Sequence, residues 1–136
     1  MIDITQELVN ETLAYIKEKY PLSNDNGLNN SVCARSDSPV NYQNDIDFLG
    51  QVILAGRWLD WASQFGFRKT INFSSSSYGI KHKMENHFSQ KDGSSSFRPY
   101  VSNMAAIVSF IIYGLEISSH ANPFTTISKK ALKNWR

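Results

Sequence analysis

The chain has 136 residues, 41% of them hydrophobic and 12% aromatic, which is enough apolar material for one core and excludes a disordered tail. Its longest apolar stretch, Met104 to Leu115, is interrupted by Ser109 and Gly114 and falls short of the roughly 20 residues that cross a bilayer. Net charge is only +2, yet residues 1–65 carry four basic against nine acidic side chains and residues 66–136 carry ten against three. A fold that keeps an acidic half (1–65) apart from a basic half (66–136) presents a face suited to phosphates or to an acidic protein surface. One domain over 1–136 is expected. The acidic opening Met-Ile-Asp-Ile-Thr-Gln-Glu and the single cysteine, Cys33, which has no internal disulfide partner, predict a cytoplasmic setting.

From Asp3 the spacing of Leu8, Val9, Leu13, Ile16 and Tyr20 predicts an amphipathic helix, with Asp3 and Gln6 as a capping box and Pro21 as its stop. Residues 21–44 are rich in Ser, Asn and Asp without periodicity and read as a long loop. A second helix is expected from Asp45 to Phe65, closed by Gly66, and Gly50 and Gly56 inside it imply close packing. Alternation over Phe67 to Phe73 predicts a strand with Phe67, Ile71 and Phe73 on one side.

Four serines, Ser74 to Ser77, lead into a basic third helix from Tyr78 to Phe88, whose buried stripe is Ile80, Met84 and Phe88. After a Gly-Ser linker, Ser102 or Asn103 caps a fourth helix, Met104 to Tyr113, so apolar all round that it must be enclosed. Leu115 to Ile117 and Phe124 to Ser128 read as short strands, and Lys129 to Arg136 as a frayed basic tail. The expected fold is α+β and mostly helical: about four helices around a buried central one, with a small antiparallel sheet.

Chemistry concentrates where Arg68 and Lys69 precede the serine run and Lys81, His82 and Lys83 follow it. A helix start supplies free N–H groups, and Ser76 and Ser77 with the lysines, Lys91 and Arg98 supply the other ingredients of an anion or nucleic-acid site. Lys81 and Lys83 are expected to be exposed, so that charge reversal there would barely change stability. His82, Glu85, His87 and His120 lack the spacing of a metal site, and His82 beside Tyr78 lacks a nucleophile or paired carboxylate to complete catalysis. No enzyme activity, metal or cofactor is therefore expected. Trp58 and Trp61 with Phe65 fall on one face of the second helix, either as core or as a protein-binding patch. A winged-helix reading fails because the fourth helix offers base edges only Ser109 and the Tyr113 hydroxyl.

The run Ser77-Tyr78-Gly79-Ile80-Lys81-His82-Lys83-Met84-Glu85, together with Tyr100-Val101-Ser102-Asn103, resembles a pattern in short proteins carried by phages, plasmids and related bacterial mobile elements. The resemblance covers roughly residues 73–128, and Met104 stands where the pattern has Gly. It implies an accessory role, a setting that includes anti-defence proteins such as anti-CRISPR inhibitors, and it supplies no catalytic residues. The leading expectation is a non-enzymatic protein that binds nucleic acid through the basic surface of residues 68–91. The alternative is an inhibitor that binds a host protein or nucleoprotein complex.

Overall fold

Thr5, rather than Asp3, starts the first helix. In the computed structural model, which describes residues 2–24, 26–29, 47–92 and 99–134 and all of their side chains except those of 88–92, the Thr5 hydroxyl accepts from the N–H of Leu8. Gln6 begins α1 (Gln6–Lys19) instead of closing a capping box, and its amide donates to Asn10. Val9 and Ile16 are buried on the inner face. The expected loop is anchored at its start, where Leu28 is buried and donates its N–H to the Ala121 carbonyl at 2.8 Å. Residues 30–44 of that loop, Cys33 among them, lie outside the described residues.

Helix α2 (Phe48–Ala62) is shorter than its periodicity suggested. Asp47 caps it by accepting from Gly50 N–H at 2.7 Å, and Ser63–Phe65 tighten into a 3₁₀ turn that ends at Gly66. Gly56 does mark a close approach: a Cβ there would stand 2.6 Å from Ile4 Cδ1 and 3.3 Å from the Tyr113 hydroxyl.

The strand expected over Phe67–Phe73 is displaced. Strand β1 spans Asn72–Ser76 and runs directly into α3 (Ser77–Asp92), so most of the serine run is strand and not loop. Buried Asn72 fixes this register, since its Nδ2 donates to the Ile127 carbonyl at 3.1 Å while its Oδ1 accepts from both the N–H and hydroxyl of Ser74. With Asn72 inward, Phe73 is turned outward and is 61% exposed, the reverse of the expectation.

Helix α4 (Asn103–Ile112) is the enclosed centre. Every residue from 103 to 110 is buried, and α1, α2 and α3 pack around it. Ser102 caps it by accepting from Ala105 N–H at 3.0 Å, and the buried Gln51 amide oxygen of α2 accepts from Ser102 N–H at 3.0 Å. Strand β2 (Phe124–Thr125) pairs antiparallel with β1 through a bulge, and Ile117 bridges to Thr125, which leaves only a fragment of the expected hairpin. The tail is more ordered than expected: Ser128 caps α5 (Lys129–Lys133), whose Ala131 is buried. Trp135 lies outside the described residues.

The architecture is thus α+β and mostly helical, with a small two-stranded antiparallel sheet. No described helix is long and apolar enough to cross a membrane.

Candidate functional site

Residues 78, 81, 82 and 85 recur at i, i+3, i+4 and i+7 and so share one flank of α3. The buried stripe of Ile80 and Met84 holds that flank at the edge of the core. Lys81, expected to be exposed, is only 7% exposed. Its aliphatic stem lies along the core and its ammonium emerges between two aromatic faces, 5.4 Å from the Tyr78 ring centroid and 4.8 Å from that of Tyr100. Glu85 supplies a counter-charge at 3.6 Å, longer than a hydrogen bond. The carboxylate is itself fixed, accepting from Val101 N–H at 3.0 Å and facing His82 Nδ1 at 3.2 Å.

The ammonium opens into a cleft of about 180 Å³ lined by Asn26, Tyr78, Lys81, Tyr100, Asn103 and Asn122. Asn103 forms its floor and joins three distant segments. Its Nδ2 donates to the Asn26 carbonyl and to Asn122 Oδ1, each at 2.7 Å, while its Oδ1 accepts from the Ser77 hydroxyl at 2.6 Å. These partners set the polarity of the cleft. A flipped Asn103 would oppose the Asn26 carbonyl with another acceptor, so Asn122 must turn its oxygen to Asn103. The Nδ2 of Asn122 then remains without a partner among the described residues. Together with the Lys81 ammonium, it makes the cleft a concentration of donors.

This arrangement corrects the expected anion site. Ser77 is fully buried, its hydroxyl spent on Asn103 and its N–H on the Pro123 carbonyl at 2.7 Å, so neither of its donors is left for an anion. Ser76 belongs to β1, paired opposite Phe124. Lys81 and Lys83 lie about 200° apart around the helix and do not converge. Arg68 donates its N–H to the Thr126 carbonyl and its guanidinium to Thr70, on the β2 side, and Lys69 beside it is exposed. The side chain of Lys91, and all of Arg98, lie outside the described set.

Trp58 is fully buried, and half-buried Trp61 stacks with Trp58, Phe65 and His87. Trp58 belongs to the core, whereas Trp61 packs against it with part of its surface open. Among the described residues no group of three His, Cys, Asp or Glu side chains is placed to hold a metal ion.

Of the rings that line the cleft, that of Tyr78 is exposed. Tyr78 is 51% exposed and meets His82 edge-on at 4.6 Å. The segment that brings Asn122 to the cleft also carries His120 and Phe124, both packed on exposed Phe73 at 6.2 and 5.2 Å. Sequence reasoning found Lys81 but missed Asn26, Tyr100, Asn103 and Asn122 as its neighbours. A signal was present in the paired stretches 77–85 and 100–103, which the fold joins through Ser77 to Asn103, Lys81 to Tyr100, and Glu85 to Val101.

Compared with known proteins, the chain matches no family model, no curated protein and no solved structure.

Proposed function

We propose that the protein is a non-enzymatic binder of single-stranded nucleic acid, in the accessory setting of a mobile element. The observation that supports this reading best is the Lys81 ammonium, held at the edge of the core between Tyr78 and Tyr100 and open to a donor-lined cleft. A cation that meets the phosphate backbone beside exposed rings that stack on bases is the combination that single strands require. Duplex offers no unstacked base to Tyr78 or Phe73, so the single strand is favoured over it.

Fluorescence anisotropy with labelled single-stranded DNA, single-stranded RNA and duplex DNA at two salt concentrations tests the proposal. Single strands are expected to bind more tightly than duplex, with affinity that falls as salt rises. Tyr78→Ala is expected to cost about 1–3 kcal/mol if one base stacks there. Absence of salt-dependent binding to every strand refutes the proposal. If a protein partner co-purifies after nuclease treatment in that case, the inhibitor of a host complex takes its place.

A further inference from the structure

The geometry points to a more specific ligand for the Lys81 cleft, the terminal phosphate monoester of a nucleic-acid strand, and this inference rests on the nucleic-acid reading above. A phosphodiester inside a chain carries a sugar on both sides and needs a groove that is open at both ends. The Lys81 side chain is 8% exposed and lines the cleft beside Asn103, which is locked by its three hydrogen bonds. A cleft of about 180 Å³ takes a phosphate with one substituent leaving through the mouth more readily than one carrying a sugar on both sides.

The donors suit that group. Lys81 brings three N–H bonds, none committed to a short hydrogen bond among the described residues, and Asn122 brings the unspent Nδ2 amide. Glu85 competes for the ammonium, but with one negative charge at 3.6 Å and with both oxygens already engaged by Val101 and His82. A terminal phosphate, with about −1.5 to −2 charges and three acceptor oxygens, meets Lys81 at hydrogen-bond distance and outweighs the carboxylate. Past the mouth, the strand leaves over exposed Tyr78, the ring on which the following base stacks.

The test uses one single-stranded oligonucleotide in three forms, 5′-phosphate, 3′-phosphate and hydroxyl at both ends, measured by anisotropy against the full chain. One phosphorylated form is expected to bind roughly ten- to a hundredfold more tightly than the hydroxyl form, the gain of charge-assisted hydrogen bonds at a partly desolvated site. Lys81→Met, which keeps the buried stem, and Asn122→Ala, at the cleft wall, are each expected to weaken the phosphorylated form more than the hydroxyl form, so that the preference shrinks toward unity. A mononucleotide monophosphate competes with the phosphorylated oligonucleotide only if the end is read apart from its strand. Competition at equal concentration that removes all binding overturns strand-end recognition in favour of a mononucleotide site. Equal affinity for all three oligonucleotides overturns the inference while the nucleic-acid reading stands. Failure of all three to bind ends both.

Discussion

The Tyr113 hydroxyl lies 2.9 Å from the Gly56 carbonyl and 2.8 Å from Asp60 Oδ1, so its single hydrogen serves two acceptors on α2. Burial first, and then the hydrogen bond and charge of Asp60, push its pKa above the ordinary tyrosine value, opposed only by the N–H of Ile2. A raised folded-state pKa stabilises the protein fully below about pH 10, where the unfolded tyrosine is still neutral, and that stabilisation fades as pH climbs toward the folded value. Tyr113→Phe is therefore expected to cost about 1 kcal/mol near neutral pH. In urea titrations the gap between wild type and variant is expected to narrow from about pH 8 to about pH 11. A constant gap would mean that the phenol titrates alike in both states. Lys81 makes the same point about single residues. Its charge reversal, which seemed harmless from sequence, would set two carboxylates side by side at the edge of the core.

At the scale of elements, the N-terminal segment and α2 are fitted to each other at Gly56. Alanine in a helix interior is favoured over glycine by about 1 kcal/mol, but here the new methyl meets the Ile4 tip at 2.6 Å. Displacing half-buried Ile4 cancels most of the gain, and Gly56→Ala alone is expected to leave stability unchanged or lower it by about 1 kcal/mol. In an Ile4→Ala background that clash is gone and only the contact with the Tyr113 ring and hydroxyl remains, so the same substitution is expected to be more favourable there than in wild type by about 1 kcal/mol. A double-mutant cycle by thermal or urea unfolding checks this. Additive effects would show that the N-terminal segment does not rest on α2.

For the whole molecule, Asn103 is the side chain that ties distant parts of the chain together. It binds the segment around Asn26, the start of α3 at Ser77, and Asn122 ahead of β2. Asn103→Ala leaves a buried Ser77 hydroxyl and the Asn26 carbonyl without this partner, and is expected to cost about 2–4 kcal/mol. Hydrogen exchange is the sharper measurement. Loss of protection is expected at Leu28, which bonds the Ala121 carbonyl, as well as at the start of α3. Loss confined to α4 would show that the three segments hold together without Asn103.

Helix α4 was legible in the sequence because a run with almost no polar face has one physical solution, enclosure by other helices. The stripes of α1 and α3 were legible for the related reason that helical periodicity is a local property. Caps were less so. Thr5 displaced Asp3 because several residues near a helix start can accept the same N–H groups, and geometry selects among them. The strand was misplaced because alternation in Phe67–Phe73 is weaker than one buried amide: Asn72 found its partner at Ile127, 55 residues away, and took the register with it. Lys81 looked exposed because lysines usually are, and nothing local announced Tyr100 or Glu85 as its surroundings. Sequence alone thus determined the class of fold, the central helix and the basic third helix, since these follow from periodicity and composition. Tertiary structure decided the cleft, because the partners of Lys81 and Asn103 come from segments up to 77 residues apart and their donors are oriented only once those segments meet.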